Sequence, residues 1–133
     1  MTELLDRPGV IIAVVGATDT PGKYGGRIYR DLKSKGFTVY PVHPSAPTVD
    51  GDPAYRSVAD LPEPPDIVDL VVPHEIGARV VGRLDDPLPF VWVQPGAEGD
   101  ALAEMLAERG APHVADGSCI MVATAGMEQR IYD

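Results

Sequence analysis

Eleven consecutive residues, Gly16-Ala17-Thr18-Asp19-Thr20-Pro21-Gly22-Lys23-Tyr24-Gly25-Gly26, contain four glycines, two threonines and one lysine. That mixture suits an anion. Glycines let main-chain N–H groups face a ligand, a helix starting at the end of such a loop offers more free N–H groups, and Lys23 adds a positive charge. The plainer reading is that Gly16, Gly25 and Gly26 only shape a strand-to-helix turn. Two familiar phosphate motifs are not matched. A Walker A loop has four residues between its glycines, whereas five separate Gly16 from Gly22, and Tyr24 replaces the Ser or Thr that would hold Mg²⁺. The dinucleotide fingerprint GxGxxG fails at Thr18, which occupies the place of its second glycine. A ribose-binding acid is also missing after the next apolar run, which ends Val42-His43-Pro44; Asp50 and Asp52 come only after Pro44 and Pro47 have turned the chain.

Other reactive side chains are scattered. His43, His74 and His113 have no neighbour at metal-ligand spacing, so no metal site is expected. His74 reads as a helix start or pocket rim and His113 as structural. Cys119 is the one cysteine. It reads either as a half-buried packing residue or as a protein thiol that meets the thiol of a bound carrier and forms a mixed disulfide under oxidising conditions. No acyl-transfer motif surrounds it, so no catalytic residue is expected. The acids Asp85, Asp86, Glu98, Asp100, Glu104 and Glu108 mark solvated turns and helix faces, not the paired carboxylates of a glycosidase. Trp92 lies inside an apolar run and is expected in the core.

The elements that must position the loop follow from periodicity. Short apolar runs rich in β-branched residues at Val10–Val15, Thr38–Val42, Ile67–Val72, Phe90–Val93 and His113–Ala115 predict strands buried on both faces. Helical spacing predicts helices over Gly26–Lys35, Glu75–Leu84 (Ile76, Val80, Val81 and Leu84 inward) and Asp100–Arg109, with a short one beginning at Ser57. The tail Ala123–Asp133 reads as a short docking helix or a disordered end. Strands alternating with helices make parallel βαβ units, hence a single α/β domain over 1–133: a Rossmann-type, doubly wound parallel sheet of about five strands, order 3-2-1-4-5, with helices on both faces. Ligands of such sheets lie beyond the carboxyl ends of the strands, where the order reverses beside the first strand. The glycine loop is at that place.

Composition narrows the partners. The chain has 133 residues, 11 Lys+Arg against 20 Asp+Glu and a net charge of −9, a balance that repels nucleic acid and anionic membrane surfaces. The longest apolar run, Val10–Val15, is far below the roughly 20 residues that cross a bilayer. With one cysteine and no apolar leader in MTELLDRPG, a cytoplasmic acidic protein is expected.

Taken in order, Ile12-Ala13-Val14-Val15-Gly16, Pro21-Gly22-Lys23, Val39-Tyr40-Pro41-Val42-His43-Pro44, Tyr55-Arg56-Ser57-Val58-Ala59-Asp60-Leu61-Pro62, Asp66-Ile67-Val68-Asp69-Leu70-Val71-Val72-Pro73 and Val91-Trp92-Val93-Gln94-Pro95-Gly96-Ala97 resemble the CoA-binding domain family. These are stand-alone Rossmann-type proteins related to the nucleotide-binding domain of succinyl-CoA synthetase. His43 stands where the family usually has Asn, and Asp116-Gly117-Ser118-Cys119 carries one small residue more than its common Asp-Arg-Cys. The resemblance implies noncovalent binding of coenzyme A or an acyl-CoA without a reaction of the chain's own. Backbone groups of Gly16, Ala17 and Thr18 with the Thr18 hydroxyl would then hold phosphate oxygens and Lys23 would neutralise them, with Tyr24, Gly25 and Gly26 also among the cofactor-binding residues. His43 and Pro44 would line the ribose or adenine region, and Val72, Pro73, His74 and Ile76 would wall the adenine. Gln94, Pro95 and Gly96 would flank the pantetheine arm, with Cys119 as a thiol contact. Two other readings stay open: a small NAD(P)-binding redox or sensor domain, and an interaction subunit whose core is only scaffold, with a protein partner or a second copy.

Overall fold

A computed structural model describes residues 2–127. A short helix α1 (Thr2–Leu5) precedes β1 (Ile11–Val15), α2 (Tyr24–Ser34) and β2 (Thr38–Val42). A hairpin of β3 (Thr48–Val49) and β4 (Asp52–Pro53) and a 3-10 turn (Val58–Asp60) lead to β5 (Ile67–Leu70) and α3 (His74–Gly82). The chain continues through β6 (Phe90–Val93), α4 (Asp100–Arg109), β7 (His113–Val114) and α5 (Ile120–Ala123). Of the tail expected to dock or to be disordered, residues 128–133 lie outside the described residues.

The main sheet is parallel, in the order β2-β1-β5-β6-β7. The expected doubly wound sheet of five strands is present, reversing at β1. The pattern 3-2-1-4-5 holds with the outermost place given to Tyr55, whose single parallel bridge to Val42 is the strand pairing found beyond β2 among the described residues. Ile67–Leu70, read from the sequence as the third strand, pairs on the other side of β1. The physical reason is proline. Pro44, Pro47 and Pro53 supply no N–H to a ladder, so the segment after β2 turns into a two-residue hairpin instead of a full edge strand.

Alternation along β1 divides the core. Ile12 and Val14 join Ile28, Leu32 and Ile120 on the face covered by α1, α2 and α5, while Ala13 and Val15 join Val81, Leu102 and Leu106 under α3 and α4. Each fully buried Ile or Leu contributes about 1.5–3 kcal/mol by leaving water. Trp92 is 2% exposed and its Nε1 donates to Ser118 O at 2.9 Å, a core role as expected. Lys35 ties α2 to α5 and its C-cap, donating to Asp31 (2.6 Å), Met121 O (3.0 Å) and Thr124 Oγ1 (2.9 Å).

One core residue breaks the apolar pattern. Asp69, in the middle of β5 between Val14 and Trp92, is fully buried, and neither carboxyl oxygen has a hydrogen-bond partner. Burial, reinforced by negative charge at Cys119, pushes its carboxyl well above the ordinary range. With the folded value raised, the ionisation of Asp69 adds no cost while both states are protonated. The cost grows as pH climbs above the unfolded value of about 3.9. Replacing it by the non-titrating isostere, Asp69→Asn, is therefore expected to change relative stability with pH. The variant's urea stability should gain on the parent between pH 4 and pH 7.5 by about 1.4 kcal/mol per pKa unit added by burial in that window. A difference that does not vary with pH would show that Asp69 titrates normally.

Candidate functional site: the glycine loop and the cavity beside it

The loop after β1 is held by contacts that exclude side chains. Gly16 has φ +103°, donates its N–H to Val42 O at 3.0 Å, and would place a Cβ 2.3 Å from Val71 O. A Cβ on Gly25 would lie 2.0 Å from Gly16 O, and one on Gly26 2.1 Å from Thr18 O. These neighbours are backbone carbonyls and cannot swing aside. The loop is thus clamped between the end of β5 and the first turn of α2. No side chain caps α2, whose N-cap is Lys23, so its first N–H groups have no side-chain acceptor. Lys23 is exposed and has no ion pair among the described residues. Ala17 is buried, and the Thr18 hydroxyl is engaged locally, accepting from Thr20 N–H and donating to Thr20 Oγ1, both at 3.1 Å.

Beside the loop, at the carboxyl ends of β1, β2 and β5, opens a cavity of about 550 Å³. Gly16 lines it and is also the first residue of the loop, so the two are continuous. Pro44, Val72 and Ile76, named from the sequence, line it together with Val15, Val42 and Val80. Ile76 was expected to point inward; it is 40% exposed, because Gly77, Ala78 and Val81 form the face of α3 that packs on the sheet. The sequence reading missed three further lining residues, Arg56, Arg79 and Arg83. Ile76, Arg79, Val80 and Arg83 follow the i, i+3, i+4, i+7 spacing of one helix face, which is the signal that was there to be read.

Other expected residues lie elsewhere. The His43 ring turns into its own loop, with Nδ1 accepting from Ser45 N–H (3.1 Å) and Ala46 N–H (2.9 Å), and does not line the cavity. Pro73 and His74 begin α3 outside the cavity wall. The His74 ring presses on Gly99, where a Cβ would come within 2.2 Å, and its buried Nδ1 has no hydrogen-bond partner. His113 Nδ1 lies 2.8 Å from Ala111 O, in keeping with a structural role. Pro95 and Gly96 are exposed, with Gly96 N–H donated to Glu98 at 2.8 Å. The acids that follow β2 are held under α2: Lys33 pairs with Asp50 (3.1 Å) and Asp52 (2.8 Å), and Tyr29 donates to Asp52 at 2.6 Å.

Tyr24, Gln94 and Cys119 meet. The Tyr24 hydroxyl is 3.9 Å and Gln94 Nε2 3.3 Å from Cys119 Sγ, while Gln94 Oε1 accepts Ile120 N–H at 2.9 Å. The glycine loop, the end of β6 and the start of α5 therefore converge on one thiol. Partial burial raises its pKa, but donors from Gln94, Met121 N–H, Val122 N–H and Tyr24 outweigh burial and leave the thiol below its usual range.

A family profile described as the CoA binding domain matches residues 11–125. The chain belongs to the CoA-binding domain family. This CoA-binding domain is 34% identical over 105 residues to an ADP-forming acetate–CoA ligase of Archaeoglobus fulgidus, a match that covers 74% of the chain but 15% of the ligase. It is 30% identical over 115 residues to an uncharacterized protein of Bacillus subtilis, covering 86% of the chain and 84% of that protein. Among solved structures, a conserved hypothetical protein from Pyrococcus furiosus superposes with a TM-score of 0.78 at 40% identity, over 85% of this chain and 97% of that one. Among the described residues no helix is long and apolar enough to cross a membrane.

Because Cys119 is the only cysteine, alkylation of the intact chain reports on it alone. The rate of iodoacetamide labelling of the folded protein should reach its half-maximum at a lower pH than that of the urea-unfolded chain, whose thiol titrates near about 8.5. Coincident profiles would contradict the donor arrangement around Sγ.

Proposed function

We propose that this domain binds coenzyme A or an acyl-CoA noncovalently, with no reaction of its own. The diphosphate would lie on the N–H groups of the Gly16–Gly26 loop and the uncapped first turn of α2, with Lys23 supplying the counter-charge. The adenosine would occupy the cavity that begins at Gly16. The pantetheine arm would run past Pro95 and Gly96 toward the cluster of Tyr24, Gln94 and Cys119. The observation that carries this reading is the clamped loop, whose first residue lines a cavity at the point where the sheet order reverses and whose last residues form an uncapped helix start. Membership of the family and likeness to an acetate–CoA ligase support the choice of ligand. A nicotinamide dinucleotide is disfavoured, because Asp50 and Asp52, the acids nearest the end of β2, are committed to Lys33 and Tyr29.

In a thermal-shift panel of CoA, acetyl-CoA, NAD, NADP and ATP, CoA or acetyl-CoA should stabilise the protein, by about 2.7 kcal/mol at a hundred times its dissociation constant. Lys23→Glu replaces an attraction by a repulsion and should weaken CoA binding in calorimetry by about tenfold or more. Stabilisation by NAD alone would overturn the assignment, and unchanged affinity in Lys23→Glu would remove Lys23 from the site.

The thiol end has its own test. Attack of the Cys119 thiolate on CoA disulfide would form a protein–S–S–CoA bond and release one CoA thiolate, with no other oxidant needed. Intact mass should show one CoA added after incubation with CoA disulfide and none in Cys119→Ser. Absence of the adduct in the parent would place the thiol terminus away from Cys119.

A further inference from the structure

We propose that Arg56, Arg79 and Arg83 form a corner of the cavity that reads a phosphate monoester on the ligand's ribose, so that the domain distinguishes a carrier with this phosphate from the same carrier without it. The inference rests on the CoA reading and adds what selects among adenylated carriers. Fourteen residues line the cavity; three are arginines and none is Asp or Glu, in a chain whose net charge is −9. None of the three guanidinium groups has a hydrogen bond, ion pair or ring contact among the described residues. Several other cations are engaged: Arg7 with Asp66, Arg27 over the Tyr24 ring, and Arg109 with the carbonyls of Val81, Gly82 and Leu84.

The placement is specific. Arg79 and Arg83 are four residues apart at the end of α3, where like charges one turn apart oppose each other. The negative end of the helix dipole accounts for cations there. It does not account for Arg56, which comes from the segment beyond β2. That segment is fixed by Tyr55, whose N–H donates to Pro41 O at 3.0 Å and whose carbonyl accepts His43 N–H at 2.9 Å. Three guanidinium groups from two elements therefore line one apolar-walled space to whose wall no Asp or Glu contributes. A dianionic monoester is the ligand group that matches several guanidinium forks. With a diphosphate on the glycine loop and the nucleoside in the cavity, the anion left to be met on the nucleoside side is a phosphate on the ribose.

Calorimetry with CoA and 3′-dephospho-CoA, in parallel with NADP and NAD, decides the matter. The parent should bind CoA about tenfold to a hundredfold more tightly than dephospho-CoA, with a gap that narrows as salt is raised. In the triple variant Arg56→Gln, Arg79→Gln, Arg83→Gln, CoA affinity should fall to that of dephospho-CoA. Affinity for dephospho-CoA should be unchanged, which also shows that the variant is folded. Equal affinities in the parent, or equal loss of both ligands in the variant, would overturn the arginine corner and leave the CoA reading standing. If neither CoA form binds but NADP does, with a preference over NAD that the variant loses, the corner is upheld and CoA is overturned as occupant. Failure of all four ligands to bind overturns the CoA reading and this inference with it.

Discussion

The architecture depends on main chain meeting main chain where a Cβ would not fit. At the end of β1 the backbone passes under Val71 O, and the first turn of α2 closes on Gly16 O and Thr18 O, at distances that admit only hydrogen at the three glycines. Side-chain crowding can be relieved by changing rotamers, but a carbonyl in a parallel sheet cannot move without shifting its strand. This contact sets where α2 begins and keeps its uncapped turn near the carboxyl end of β1, the strand between β2 and β5 at which the order reverses. It also makes Gly16 the first residue of the loop and part of the cavity wall at once. The expected ligand region and the sheet's reversal coincide because one residue belongs to both.

Charge is distributed in the same sense. The acids outnumber the bases, yet several are matched on other faces: Asp50 and Asp52 by Lys33, Asp31 by Lys35, Asp66 by Arg7. Lys23 and the three cavity arginines are left unmatched around the carboxyl ends of the strands. An apolar wall around such charges lowers their screening and concentrates their field, so an anion near this end of an acidic protein meets a local attraction.

Much of this was legible in residue order. Thr38–Val42, Phe90–Val93 and Asp100–Arg109 are bounded as their patterns predict, and left-handed Gly110 ends α4, because apolar period and stop signals agree there. The hairpin Thr48–Pro53 was missed although Asp50-Gly51 is a turn signature, since two-residue strands carry no period and Pro53 argues against one. Asp69 reads as a charge inside an apolar strand, and its lack of partners is visible only when neighbouring strands are laid beside it. The histidines were over-read for the same reason. His43 and His74 do sit at strand ends, but whether a ring turns toward a cavity or into its own loop depends on local N–H groups and on a glycine 25 residues away at position 99. The arginines went unnoticed because exposed cations are ordinary on helices, and only the fold brings residue 56 to the cavity that 79 and 83 line.

The two borders of the main sheet are both blunt. Beyond β2, Pro41 has no N–H to offer, its carbonyl is taken by Tyr55 N–H, and His43 N–H is taken by Tyr55 O. At the opposite border β7 is two residues long and follows Pro112. A foreign extended peptide has little free ladder to join on either flank, which guards a small parallel sheet against stacking edge to edge with its neighbours. Self-association of this domain would have to be written in side chains.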